Sequence, residues 1–254
     1  NNGKLTIENY STVILEKGSK LIIHPGAEII LNGPNAVLHL NGRVELEPNA
    51  IFKPVKGALG YGKILIEKNG PDEFFVKCKG NNRFIVDAER VDAKGVGKNG
   101  SINLEVKGLW GMHTGWQPGL KEFIVRHSRV VLGEGCDLTS EAVATTFEDV
   151  HIGTHTDGLA QGIFLLNTKG KFTNVQLENF RIGIDYKALN VNEPLYLDNV
   201  KASDCGKGFV VNGGLAFMTN CESSNNGKIG RRGVEILGAT GLSVFKAGKY
   251  LTFF

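Results

Sequence analysis

The chain of 254 residues has little proline (7 residues), methionine (2) or tryptophan (2). With 41% hydrophobic and 8% aromatic residues it is too apolar for a disordered chain. No apolar run approaches the ~20 residues a bilayer-spanning helix needs, so no membrane span is expected. Neither charge sign forms a block. The net charge is +3, and residues 57–146 hold twelve basic and eleven acidic groups. A nucleic-acid partner is therefore not expected, because its electrostatic footprint is missing. The four cysteines (Cys78, Cys136, Cys205, Cys221) never pair as CxxC, which argues against structural zinc. Four cysteines allow two disulfides, but a chain of this size needs none.

What the chain does have is glycine and asparagine, 34 and 22 residues. The glycine share is nearly twice the usual ~7%. It shows no Gly-X-Y period, which excludes collagen. The chain opens without a starting Met or a targeting signal, on residues that already read as a repeat, and it ends on Leu251, Phe253 and Phe254. The expectation is a piece of a longer chain.

Apolar triplets recur through the opening: Leu5-Thr6-Ile7, Val13-Ile14-Leu15, Leu21-Ile22-Ile23, Ile29-Ile30-Leu31, Val37-Leu38-His39, Val44-Glu45-Leu46 and Ile51-Phe52-Lys53. Their spacings are 8, 8, 8, 8, 7 and 7. Turn residues such as Lys17-Gly18-Ser19 and Pro25-Gly26-Ala27 lie between them. A triplet is too short for a helix, and β-branched residues favour strand. Further on, Asp149-Val150, Asn174-Val175, Asn199-Val200 and Asn220-Cys221 recur 25, 25 and 21 residues apart. Gly162, Gly183, Gly208 and Gly233 each precede an apolar strand, at spacings of 21, 25 and 25. Three octads make one such interval, so both halves point to one coil length.

That length predicts an all-β solenoid, each coil three short strands and three turns, about ten coils of 21–25 residues. Asparagine suits the stacked turns because its amide bonds its neighbours and it tolerates a left-handed backbone. The predicted organisation is a single domain over 1–254. Octad coils fill 1–56, less regular coils with a tryptophan loop fill 57–146, and longer-period coils fill 147–254.

Phe172-Thr173-Asn174-Val175 with Gly183-Ile184, and Leu197-Asp198-Asn199-Val200 with Gly208-Phe209-Val210, resemble repeats of the pectin-lyase-like right-handed parallel β-helix superfamily. The opening octads resemble the glycine- and asparagine-rich repeats of large secreted bacterial surface proteins. The resemblance implies a secreted or cell-surface location. It does not fix an activity, since the fold hosts many functions.

The middle of a triplet points outward at Thr6 and Glu45. Ile14, Ile22, Ile30, Leu38 and Phe52 hold the same position, so the opening strands are expected to be covered on both faces. Ile14 and Leu38, 24 apart, are expected to stack on one outer face, and Ile30 and Phe52 on another. Such faces would meet a covering segment, an oligomer or a neighbouring domain. A solenoid also needs a capped end. No capping helix appears in residues 1–12, so the cap is expected in preceding sequence.

His151, His155 and Asp157 form the most polar loop and are the candidate metal ligands. Thr156-Asp157-Gly158 and Arg181-Ile182 faintly resemble polygalacturonase motifs. The adjacent Asp pair and Gly-His-Gly of those enzymes are absent, which argues against that hydrolysis. A β-elimination lyase needs a Lys or Arg base and a cation or Arg on the uronate carboxylate. Arg181, Lys187 and Lys201 are the candidates for the basic groups. Asp149, Asp157, Asp185 and Asp198 are candidates for calcium, the one cofactor that reading allows. Trp110 and Trp116 are candidates for stacking on sugar rings. Lys228, Arg231 and Arg232 lengthen a turn that could meet an acidic polysaccharide.

The expected function is a non-catalytic secreted or cell-surface domain with a structural, adhesive or carbohydrate-binding role. The alternative is a polysaccharide lyase or other carbohydrate-active enzyme acting on an acidic polysaccharide.

Overall fold

The computed structural model describes residues 3–70, 73–88, 103–107, 112–113, 120–154, 160–189, 192–224, 232–237 and 244–245. Every strand pairing among them is parallel, and none of these residues is helical. The chain is a parallel β-solenoid, as its repeat predicts.

The octad rhythm is a rhythm of turns. In the first coil Ser11, Ser19 and Ala27 donate backbone N–H bonds to Glu8, Glu16 and His24, at 3.0, 2.9 and 3.1 Å. Each turn closes three residues after the bonded carbonyl, which leaves four or five residues for a strand. The strands Lys4–Glu8, Thr12–Leu15 and Lys20–Ile23 then stack on Glu28–Asn32, Val37–Leu40 and Arg43–Leu46 of the next coil.

Among the described residues the strands form four stacks: two of three strands, one of fourteen and one of six. In the large stack the long strands Ala144–Thr154, Lys169–Glu178 and Leu195–Ser203 bend in the middle, at Asp149, Asn174 and Asn199. These three residues have left-handed φ of 51°, 54° and 52°. Their side chains form a ladder one coil apart. Asn199 Nδ2 donates to Asn174 Oδ1, and Asn174 Nδ2 to Asp149 Oδ1, both at 2.8 Å. The recurring asparagine thus supplies both the bend and the tie.

The recurring glycine works differently. Gly162 has a φ of 86°, but Gly183 does not lie in the left-handed region. A Cβ on Gly183 would sit 2.6 Å from the carbonyl oxygen of Gly208 on the next coil. Close approach of stacked backbones excludes a side chain there.

The core is a column of rings. Phe52, Phe84, Phe123, Phe147 and Phe172 contact one another in turn, with centroids 4.3, 6.0, 5.8 and 4.7 Å apart. Leu197 and Met218 continue the column below Phe172. Phe123 meets Phe147 diagonally, because its register partner is Thr145. Thr145 is buried and bonded to the hydroxyls of Ser140 and Thr168 at 2.6 and 3.0 Å.

The expected outer stacks of Ile14 with Leu38 and of Ile30 with Phe52 are not formed. Leu38 stands beside Val13, and His39 beside Ile14. Leu38 is 1% exposed and Ile14 49%. The partner of Ile30 is Val55, while Phe52 heads the ring column. The rung from Val13 to Leu38 is one residue longer than three octads. A one-residue slip in a strand sends every side chain to the other face. Leu38 therefore lines the core, as does Phe52, whose strand pairs with Asn82–Asp87 and not with Glu28–Asn32.

The solenoid makes about seven turns, not ten. A uniform coil does not hold through the middle. Lys63 stands beside Asn103, and Arg83 beside Glu122. That coil spends many more residues than its neighbours before it returns to the stack.

Candidate functional site

The six-stranded stack consists of Met112–His113, Asp137–Ser140, Gly162–Leu166, Ile182–Lys187, Lys207–Asn212 and Arg232–Leu237. In Ile182–Lys187, Ile184 and Tyr186 belong to the core. Alternation along the strand then turns Asp185 and Lys187 outward. The hydroxyl of Tyr186 donates to the carbonyl of Glu193, and burial pushes its pKa up to about 12. It is held as a neutral phenol beneath the sheet.

Register places Thr139, Phe164, Asp185, Val210 and Glu235 in one row across the stack. Neighbouring members are ~4.8 Å apart. Asp185 is only 5% exposed although it sits at an outward position. Its Oδ1 has no hydrogen-bond partner among the described residues. Burial pushes its carboxyl above the usual range. Lys187 and Lys207 pull it back in part, and Glu235 adds to the rise. Lys187 Nζ is 3.8 Å from Asp185 Oδ2 and 5.8 Å from the centre of the Phe164 ring. Lys207 Nζ is 2.5 Å from Glu235 Oε2. The face combines an aromatic ring, two partly exposed ammonium groups and a buried carboxyl. A buried acceptor without a partner costs ~1–3 kcal/mol of stability.

The lyase candidates do not converge. Lys187 belongs to this face. Lys201 lies on the large stack, 3.5 Å from Glu222. Arg181 is exposed where the chain enters the strand, and its carbonyl accepts the backbone N–H of Lys207. His151 is on the large stack, its Nε2 3.4 Å from Glu178. His155, Asp157, Trp110 and Trp116 lie outside the described residues, as do Lys228 and Arg231.

Three residues of the face escaped the sequence reading: Phe164, Lys207 and Glu235. The signal for two of them was present. Phe164, Asp185, Val210 and Glu235 each stand two places after one of the periodic glycines, so they inherit the same spacing.

All four cysteines are buried, and three of them supply no reactive thiolate. Burial pushes the thiols of Cys78 and Cys205 up to about 11 and raises that of Cys221. A protonated thiol is a poor nucleophile and metal ligand. Among the described residues, the side chains that bring a histidine and carboxylates together are His127, Glu148 and Asp149, with ligand atoms within 4.8 Å of one another. No described helix is long and apolar enough to cross a membrane.

The class this architecture defines is the parallel β-solenoid. Comparison with known families, with curated proteins and with solved structures finds no match to the chain.

Proposed function

We propose that this chain is a non-catalytic β-solenoid domain of a secreted or cell-surface protein, with a structural or adhesive role that includes carbohydrate contact. The observation that carries the reading is the outward row around Asp185, where the partly exposed ammonium group of Lys187 stands by the Phe164 ring and the Asp185 carboxyl, and that of Lys207 meets Glu235. Ammonium groups donate to sugar oxygens and uronate carboxylates, and the apolar face of a pyranose suits an aromatic ring. Elsewhere the charged side chains pair from coil to coil. Lys63 meets Glu105 at 2.8 Å, Lys79 meets Glu47 at 2.5 Å, and Lys201 meets Glu222 at 3.5 Å. Such ladders tie coils together and do not gather around a reacting bond.

The same group of Asp185, Lys187, Lys207 and Glu235 also favours a second reading, a carbohydrate-active enzyme acting on an acidic polysaccharide. Incubation with uronate polysaccharides separates the two. The first reading predicts retention of the protein on the polysaccharide with no shortened or unsaturated product. Release of a defined oligosaccharide, lost in Lys187→Ala, would support the second. Absence of both retention and product would reject both.

A further inference from the structure

The bend between the two panels of the large stack is filled in successive coils by His127, Asp149, Asn174 and Asn199. All four have a left-handed φ, of 47°, 51°, 54° and 52°. In the lower coils amide bonds to amide, and that suffices to tie the stack. The upper two coils depart from this chemistry. An imidazole and a carboxylate replace the amides, and Glu148 adds a second carboxylate beside them.

The geometry around His127 is ordered on both sides of the ring. Its Nδ1 is 3.1 Å from Asp87 Oδ1. Its Nε2 is 3.5 Å from Asp149 Oδ2. Asp149 Oδ1 is meanwhile fixed by the amide of Asn174. The gap of 3.5 Å at Nε2 exceeds the ordinary hydrogen-bond range of ~2.7–3.2 Å. It is close to the ~3.4 Å that separates two atoms each bound at ~2.1 Å to one tetrahedral ion. A carboxylate behind the other ring nitrogen is the usual outer partner of a metal-bound histidine, because it fixes the ring and makes it a better donor. Charge points the same way. Among the described residues, Asp87, Glu148 and Asp149 bring three carboxylates, and Arg126, 3.2 Å from Glu148, brings one guanidinium.

We infer that His127, Glu148 and Asp149, with Asp87 behind the imidazole, form a site for one divalent cation of the zinc type. One nitrogen and two carboxylate oxygens suit a borderline ion such as zinc or cobalt. Calcium prefers six or more oxygen ligands. Three protein ligands leave a position for water. The ion would rivet the stack where the amide ladder stops, a role separate from the face around Asp185.

The test is calorimetric titration of the full chain, freed of metal by a chelator, with zinc chloride and separately with calcium chloride. His127→Asn and Asp149→Asn are the variants, since asparagine accepts the left-handed bend and extends the ladder already present below. The wild-type chain is expected to take up one zinc ion that both variants bind at least about tenfold more weakly, and to bind calcium more weakly than zinc. Asp87→Asn, which touches only the far side of the ring, is expected to weaken zinc by ~10-fold or more. Equal zinc affinity and stoichiometry in wild type and both variants would overturn the inference. So would equal binding of calcium and zinc. Cobalt added to the wild-type chain gives a readout free of any folding defect in the variants. Intense visible bands of a four-coordinate ion are expected, and the weak spectrum of the hydrated ion would overturn the inference.

Discussion

Asn174 both bends its coil and ties it to two others. Replacement by glycine keeps the left-handed φ and removes the amide, whereas alanine removes both. Asn174→Gly is expected to lose ~0.5–1.5 kcal/mol for the ladder bonds. Asn174→Ala is expected to lose a further ~1–2 kcal/mol for the strained backbone. Urea unfolding of the two variants measures the difference, and equal midpoints would contradict the dual role. At Asp185 the sign runs the other way. Burial raises its carboxyl pKa in the folded chain above the ordinary 3.8. The folded state therefore holds its proton more tightly than the unfolded state, and stability falls as pH rises through the interval between those two pKa values. Asp185→Asn is expected to be more stable than wild type at pH 7, with the gain vanishing in acid below the unfolded pKa. Retention on polysaccharide is expected to fall in Lys187→Ala, which removes the exposed ammonium group beside Asp185. A Lys187→Ala protein retained like wild type would show that this face has no ligand. The asparagine bends were legible in the sequence because each recurs with its own period. The Asp185 row was not recognised, because aspartate and phenylalanine at equal spacing look unrelated until register sets them side by side.

At the level of the strand, the ring column and the glycine positions set the tolerance of each coil. Phe123→Ala is expected to cost ~3–5 kcal/mol, since it opens a gap between Phe84 and Phe147. Phe123→Leu, a residue type the column already holds at Leu197, should cost clearly less. Gly183→Ala is expected to cost ~1–3 kcal/mol, because the added methyl must displace the Gly208 carbonyl. Calorimetric melting compares these three variants. A Gly183→Ala protein as stable as wild type would mean the coils are farther apart than described. The opening strands show where sequence reasoning stops. Triplets at octad spacing reveal strands and turns, but the face each residue takes depends on register. One extra residue between Val13 and Leu38 put Leu38 in the core and left Ile14 exposed beside His39.

For the whole molecule, parallel stacking of coils was readable from the repeat alone, while the number of coils was not. The long return between Lys63 and Asn103 carries no period to read. The account rests on coils stacked in register at 21–25 residues through the second half, since that register creates the amide ladder and the Asp185 row together. A cysteine pair tests it most directly. Thr173 and Asp198 are register partners on adjacent coils. Their Cα atoms should be ~4.8 Å apart, within the ~4.4–6.8 Å a disulfide spans. Thr173 and Leu197 are one residue out of register and face opposite sides of the sheet, Leu197 being buried. On mild oxidation, Thr173→Cys with Asp198→Cys is predicted to form an intrachain disulfide, and Thr173→Cys with Leu197→Cys to remain reduced. A bond in the second pair and none in the first would contradict the register on which the account stands.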